Sequence, residues 1–318
     1  MSSKRSYFDP RLIEFNDAVF LDPEKIDEAL RRLMPNAFLS KGSFSYPSRA
    51  ALCDLVWNHM DQNHRPLIHS TYEKAARVFI DRRASFSLTR FGKWPIAIPV
   101  FDGYFRENGF YQVMVLFGLV IVVCLVDCKA GETGTSMEIS WTTASHRLLR
   151  FIHPYLNRRI RLLNDVQNRD DDPIRDQRVA LRKAQYTFST DAPDFINANV
   201  MANNVKFPAV AGTHEISIRD LSEGQPQRIA VADRAFIVRR TGGTLEVWPG
   251  ICPHEGAAIE VGHLKGATAV CAWHGLEFGP RRLGPGSGKL VMCGAALELT
   301  GDRLNVGPAP SRTPVAST

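Results

Sequence analysis

Two short stretches near the C-terminal end of the 318-residue chain most constrain its fold, because both contain metal-binding side chains. The first is Cys252-Pro253-His254, and the second, sixteen residues later, is Cys271-Ala272-Trp273-His274. One interpretation is a structural zinc site, but zinc modules usually pair Cys with Cys and His with His along the chain. Here each stretch contains one thiol and one imidazole, and this arrangement favours two metal ions over one.

These stretches resemble the ligand loops of the Rieske [2Fe–2S] domain, in which two thiolates hold one iron and two imidazoles hold the other. The resemblance implies a one-electron cofactor held by four side chains: Cys252, His254, Cys271 and His274. Gly256 and Gly275 are expected to let backbone amides approach the cluster sulfides. Respiratory Rieske proteins usually carry a further cysteine in each loop, and these loops lack it. The chain is therefore more similar to the lower-potential Rieske ferredoxins and oxygenases.

Composition sets outer limits on the function. The chain is long enough for two ordinary domains, and 44% hydrophobic with 23% charged residues is a normal globular balance. Six cysteines, two of them predicted cluster ligands, indicate a reducing compartment, which we take to be the cytoplasm. Residues 2–11 are polar and do not resemble a signal peptide. A net charge of +6 without an interleaved basic and aromatic motif argues against a nucleic-acid partner.

Two local features leave alternatives open. Residues 110–126 are almost entirely apolar and approach the length of a membrane span. Their Val and Ile content and the glycine at 118 favour two buried strands, so no membrane partner is expected. Cys124 and Cys128 are expected to be buried free thiols. The basic residues of 146–161 indicate a solvated helix face or a docking face for an acidic redox partner.

The pattern of apolar residues predicts two domains and a tail. Residues 205–307 contain short alternating segments typical of an all-β domain, and residues 308–318 are expected to be disordered. Residues 1–204 indicate an α+β helix-grip (START-like) domain, in which a curved sheet wraps a long helix around an apolar cavity. Its predicted helices are 23–34, 48–64, 145–166 and 173–184. Its predicted strands lie within 76–123 and at 136–142.

A second group of metal-binding side chains lies at Asp61, His64 and His69. On a regular helix the two histidines would diverge by about 140°. Pro66 is expected to end the helix at Arg65, so that the chain turns and brings His69 back towards His64. Asp61 lies one turn before His64, within reach of a hydrogen bond to it. His59 is expected to point away from His64.

This spacing resembles the mononuclear iron motif of the Rieske non-haem iron oxygenases. The resemblance implies that His64 and His69 bind Fe(II), and that Asp61 bridges an iron-ligand histidine and a Rieske histidine. A downstream carboxylate completes the facial triad. The segment 170–176 resembles the acidic segment of the family and places that ligand at Asp171. Asp172 is the second candidate, because it precedes Pro173 and suits a helix N-cap, and Asp170 is the third.

The two domains occur in the reverse of the usual order, since Rieske oxygenases normally begin with the Rieske domain. The resemblance implies a mono- or dioxygenase that hydroxylates, dihydroxylates or demethylates an apolar aromatic or alicyclic compound with O2. Its electrons would come from an NAD(P)H-dependent reductase, directly or through a ferredoxin. A homotrimer is one arrangement that the family suggests. The alternative is a Rieske electron-transfer protein fused to a ligand-binding helix-grip module without mononuclear iron.

Overall fold

The computed structural model describes residues 22–61, 63–80, 84–93, 95–106, 108–131, 134–191 and 203–310. The chain forms two compact units, Met1–Asp172 and Pro173–Thr318. The predicted domain boundary at 204/205 stays a prediction, as does the disordered tail, of which residues 311–318 lie outside the described residues. None of the helices in the described ranges is long and apolar enough to cross a membrane.

The first unit is built on a seven-stranded antiparallel sheet with the strand order β1-β7-β6-β5-β4-β3-β2. The strands are β1 Ala37–Ser48, β2 Tyr72–Ile80, β3 Ala84–Phe91, β4 Ile98–Arg106, β5 Gly109–Leu116, β6 Val120–Ala130 and β7 Thr135–His146. The apolar run at 110–126 forms β5 and β6, which confirms the prediction of two strands. Residues 117–119 join them, and Phe117 and Gly118 have the positive φ angles that a tight hairpin turn requires.

The first strand has no counterpart among the predicted elements, because its side chains are mainly small or polar. It pairs along its whole length with β7, from Ala37 opposite His146 to Ser48 opposite Thr135. Gly42 lies opposite Trp141, and a Cβ atom at position 42 would overlap the indole ring. The strand is therefore specified by its fit to a neighbour 100 residues later and not by its own hydrophobicity.

In the described part of the chain four α-helices accompany the strands: α1 Ile26–Leu33, α2 Leu52–Met60, α3 Arg65–Ile68 and α4 His153–Lys183. The predicted helix 23–34 is confirmed by α1 and the 3-10 turn before it. The predicted helix 48–64 is too long, because β1 runs to Ser48 and α2 ends at Met60. The predicted helices 145–166 and 173–184 are one helix, α4, which follows a 3-10 turn at Arg147–Ile152 and contains Pro173 in its interior.

The sheet holds α1 and α4 on opposite faces. Side chains alternate between the two faces of a strand, so neighbouring residues of β7 contact different helices. Ala144 packs in a cluster with Ile26 of α1, whereas Thr143 contacts His153 at the start of α4. Trp141, on the same face as Thr143, donates its indole N–H to Asn157 of α4 at 2.9 Å. A sheet that holds a long helix in this way is the helix-grip fold, which confirms the predicted fold class.

The second unit is rich in short strands, as predicted. They are β8 Thr187–Phe188, β9 Val205–Lys206, β10 His214–Ser217, β11 Gln227–Val231, β12 Arg234–Thr241, β13 Thr244–Pro249, β14 Leu264–Lys265, β15 Thr268–Val270, β16 Glu277–Phe278, β17 Arg281–Leu283, β18 Leu290–Met292, β19 Ala295–Thr300 and β20 Arg303–Pro308. The sheets β10-β20-β19-β18 and β11-β12-β13-β17 share one apolar core, which includes Phe236, Leu245 and Leu297. The small sheet β14-β15-β16 carries one of the two predicted cluster loops.

Candidate metal centres

The turn between α2 and α3 positions the predicted iron-binding histidines. Helix α2 ends at Met60, four residues before the predicted end at residue 64, and Asp61 is already extended. Its Oδ1 accepts the backbone N–H of Asn63 at 3.1 Å, a local hydrogen bond typical of an Asp-initiated turn. Pro66 does not end a helix. It lies in the first turn of α3, where a missing N–H costs nothing.

The short helix α3 brings the two histidines together, because they lie at its two ends. His64 immediately precedes α3, and His69 follows it in an extended conformation with its backbone N–H bonded to the Arg65 carbonyl. Their ring centroids are 5.2 Å apart, and both side chains are buried. A single regular helix would have separated them, so convergence depends on the break after α2.

Asp171 of α4 lies against both histidines. Its Oδ1 is 3.2 Å from His64 Nε2 and 3.5 Å from His69 Nε2. One ligand atom from each of these three residues lies within 4.8 Å of the other two. Two imidazole nitrogens and one carboxylate oxygen at this spacing suit an Fe(II) facial triad.

The other two candidate carboxylates have different contacts. Asp170 accepts from the backbone N–H and the hydroxyl of Ser70, at 3.1 and 3.3 Å, and is 3.8 Å from His69 Nδ1. Asp172 accepts from the Tyr46 hydroxyl at 2.5 Å. It is not the predicted N-cap, because α4 runs through it. Asp171 thus contacts both histidines, whereas the contacts described for Asp170 are with Ser70 and His69 and the contact described for Asp172 is with Tyr46.

The electrostatics of this group favour a cation. Asp61 Oδ2 is 3.2 Å from His64 Nδ1, so His64 lies between two carboxylates. Burial by itself would lower the pKa of His64, but hydrogen bonds to Asp171 and Asp61 raise it above its usual value. A pocket that stabilises an imidazolium also stabilises a metal cation, so the donor set and the charge both fit mononuclear iron.

A cavity of about 60 Å³ adjoins the triad and is lined mainly by polar side chains. This contrasts with the apolar cavity that the composition of the strands predicts. His59 lines it and stacks on Phe110, with 5.1 Å between ring centroids, and its expected orientation away from His64 stays a prediction. Burial raises the pKa of the Cys124 thiol, which also lines the cavity, to about 12.

Sequence reasoning missed two polar features of this cavity. One is a buried ion pair, in which Arg65 Nη2 is 3.1 Å from Asp102 Oδ1. No local signal links these residues, because Asp102 lies on β4. The other is a helical stripe formed by Asn164, Gln167, Asn168 and Asp171. Their spacing of three and four residues places them on one face of α4, and this signal was present in the sequence.

The two predicted cluster loops of the second unit share one backbone hydrogen-bond pattern. In the first, the N–H of Cys252 donates to the carbonyl of Ala257, and that of Gly256 donates to the carbonyl of Cys252. The second repeats this with Cys271, Leu276 and Gly275. Both glycines have positive φ, of 96° and 65°. Glycine suits both positions because it adopts a positive φ without steric cost, and this backbone conformation lets the glycine N–H donate to the cysteine carbonyl that closes the loop.

The loops bring their metal-binding atoms together. The Nδ1 atoms of His254 and His274 are 3.2 Å apart, and their rings are nearly perpendicular. The thiols of Cys252 and Cys271 hydrogen-bond to each other. This contact lowers the pKa of Cys271 to about 5 and raises that of Cys252. One thiol of the pair is therefore readily ionised, as a thiolate ligand must be.

A buried ion pair supports the first cluster loop within the second unit. Arg178, on the last turns of α4, donates to Glu255 Oε2 at 3.2 Å, and both side chains are almost completely buried. Asn204 donates to Glu255 Oε1 at 2.8 Å, and its backbone N–H donates to the His254 carbonyl. Glu255 immediately follows the predicted ligand His254, so this network holds the loop from its outer side.

Comparison with known proteins identifies one of the two units. The family model of the Rieske [2Fe-2S] domain matches residues 213–291, which contain all four predicted cluster ligands. The chain therefore contains a Rieske [2Fe–2S] domain, which follows the helix-grip unit in the sequence. No curated protein matches the sequence.

Solved structures resemble part of the chain. The di-domain ARO/CYC StfQ from the steffimycin biosynthetic pathway is 10% identical with a TM-score of 0.41, and the match covers 49% of this chain and 55% of StfQ. A START superfamily protein from Mycobacterium smegmatis is 7% identical with a TM-score of 0.34, covering 44% of this chain and 97% of that protein. Norcoclaurine synthase from Thalictrum flavum is 12% identical with a TM-score of 0.30, covering 38% and 78%.

Proposed function

We propose that the chain is the oxygenase component of a Rieske-type system. It would take electrons from an external NAD(P)H-dependent reductase, directly or through a ferredoxin, and use O2 to hydroxylate, dihydroxylate or demethylate a small organic substrate. The observation that carries this proposal is the convergence of His64, His69 and Asp171 beside a cavity, in a chain that also contains a Rieske domain. A ligand-binding module would not need two buried histidines and a carboxylate at ligand spacing.

The proposed ligands divide between the two units. The cluster would be held by four side chains: Cys252, His254, Cys271 and His274. Mononuclear Fe(II) would be held by His64, His69 and Asp171. When bound, the cluster supplies one-electron transfer and the mononuclear iron supplies dioxygen activation.

The surrounding side chains prepare the mononuclear site. Asp61 fixes the orientation of His64 through Nδ1 and leaves Nε2 directed at Asp171. Asp61 is also the proposed bridge to a Rieske histidine. The His69 ring likewise directs Nε2 at Asp171. The cytoplasmic location, the homotrimer and the electron donors are parts of this proposal that follow from the family resemblance.

The first test is the metal content of anaerobically prepared protein. About three irons and two acid-labile sulfides per chain are expected after Fe(II) is supplied. His64→Ala should lose about one iron and all substrate oxidation, while the visible spectrum of the cluster stays unchanged. His146→Ala is the matched control, since His146 is an exposed histidine of the same unit. Two irons and two sulfides in the unmodified protein would instead support the electron-transfer alternative.

A further inference from the structure

The cavity beside the proposed iron site contains an unusual number of carboxamide side chains. Asn164, Gln167 and Asn168 face it from one stripe of α4, in the two turns before Asp171. Gln112 faces it from β5. A helix held by a sheet normally presents an apolar stripe to that sheet, because a buried amide without a partner is unfavourable. These amides therefore require an explanation beyond packing.

The hydrogen bonds of Asn164 and Gln112 involve their amide N–H groups and leave their oxygen atoms available as acceptors. Asn164 donates its Nδ2 to the Ile160 carbonyl at 2.9 Å, and Gln112 donates its Nε2 to Asp102 at 2.7 Å. Among the residues that the structure describes, no group donates to Asn164 Oδ1 or Gln112 Oε1. A carboxamide oxygen accepts up to two hydrogen bonds. The cavity thus offers acceptors in need of a donor.

The one arginine on the described wall is already paired with a carboxylate. Arg65 contacts both carboxylate oxygens of Asp102, at 3.4 and 3.1 Å, and Asp102 also accepts from Gln112. An anionic ligand would have to compete with this buried pair and would lie near the carboxylate of Asp171. The geometry therefore disfavours carboxylate substrates, even though an arginine lines the cavity.

We infer that the molecule which enters this cavity is small and neutral and carries a hydroxyl or N–H group, which donates to Asn164 Oδ1, while a second such group would donate to Gln112 Oε1. Its apolar part contacts Phe110 and Val126, which belong to the apolar lining. A cavity of about 60 Å³ limits its occupant to a small molecule. This inference rests on the proposed function for its reaction, and it narrows the substrate class from apolar compounds to hydrogen-bond donors.

Three probes that differ in one substituent test the inference: phenol, toluene and benzoate. Binding is measured by calorimetric titration of the full chain under anaerobic conditions, so that no turnover occurs. Phenol should bind about threefold to tenfold more tightly than toluene, the range expected for one hydrogen bond, and benzoate should bind most weakly. Equal or tighter binding of toluene, or tightest binding of benzoate, would overturn the inference.

The variant Asn164→Leu separates a ligand-binding role from a structural one. It removes the acceptor and places an apolar residue on the sheet-facing stripe, so the preference for phenol over toluene should fall to about one. The unfolding midpoint should stay the same or rise, as is common when a polar group kept for function is replaced by an apolar one. Toluene binding checks that the cavity is intact, and Gln225→Leu, in an exposed loop, is the control. A lower midpoint with an unchanged preference would assign Asn164 a structural role and contradict the inference. Gln112→Met tests the second acceptor independently.

The titrations are repeated with and without mononuclear iron, which separates this inference from the proposed function. A phenol preference in protein that never takes up a third iron would support the inference and refute the oxygenase. Three irons per chain with a preference for toluene would support the proposed oxygenase function and refute the inference that the substrate is a hydrogen-bond donor.

Discussion

The two candidate metal centres are built in different ways. Each cluster loop closes on itself within six residues, through the same pair of backbone hydrogen bonds at Cys252 and at Cys271. The mononuclear site instead combines the turn between α2 and α3 with Asp171, a residue about 100 positions later on α4. The first kind of site is encoded locally. The second exists only when the sheet has positioned the helix, so it depends on packing throughout the first unit.

The largest effect is expected from a change in a locally built loop. Cys271→Ser should abolish the cluster, because a thiolate ligand is lost and no described cysteine other than Cys252 belongs to either loop. Visible absorption and acid-labile sulfide should both disappear, while the first unit should still bind about one iron per chain. Cys293→Ser, at a cysteine outside the loops, is the control. Loss of all iron from Cys271→Ser would show that the two centres are not built independently.

The next effect should come from the remote ligand. Asp171→Asn should weaken iron binding at the mononuclear site at least about 100-fold. Residues that only support a metal ligand usually contribute 10–100-fold to metal affinity, and the loss of a direct ligand should be larger. Asp170→Asn should lower iron affinity a few-fold, because its contacts to Ser70 are weakened. Asp172→Asn should leave iron affinity unchanged. Anaerobic Fe(II) titration of the three variants measures this series. An equal loss for Asp172→Asn would mean that α4 is positioned differently from the arrangement described above.

A third change shows whether even the local loop needs outside support. Arg178→Met leaves the buried Glu255 without its positively charged partner, and breaking such an ion pair typically costs about 3–5 kcal/mol. Denaturant unfolding monitored by cluster absorbance should show most of this loss. The double variant Arg178→Met/Glu255→Met should recover much of it, because no buried charge remains. A single variant as stable as the unmodified protein would mean that the loop is held by its own hydrogen bonds alone.

This contrast explains what could be predicted from the sequence. The cluster loops could be recognised because ligand type, spacing and glycines all lie within a few residues. His64 and His69 could be identified, but the reason for their convergence could not, since it depends on where α2 ends. Pro173 suggested a helix boundary, but α4 continues through it. A helix of this length can remain intact although one backbone hydrogen bond is missing at the proline. The Arg65–Asp102 pair left no sequence signal, whereas the stripe at 164, 167, 168 and 171 did.

The smallest effect concerns the residue that anchors α4 to the sheet. His153 is buried between the hydroxyls of Thr143 and Ser145, at 2.8 and 2.7 Å, and burial lowers its pKa below the usual value. The folded state therefore favours the neutral ring. As the pH falls below the ordinary histidine pKa of about 6.5, the unfolded chain takes up a proton first, so the free energy of unfolding decreases until the folded-state pKa is passed.

His153→Gln should reduce this slope, because a neutral amide can keep hydrogen bonds to the hydroxyls without titrating. Urea unfolding followed by circular dichroism between pH 8 and pH 5, at constant ionic strength, measures it. His146→Gln, at an exposed histidine, should retain the original slope. Since α4 also carries Asp171, weaker anchoring should lower iron affinity in the same pH window and leave the cluster spectrum unchanged. A slope that is the same in both variants would remove His153 as the titrating anchor and leave the pH response to other groups of the fold.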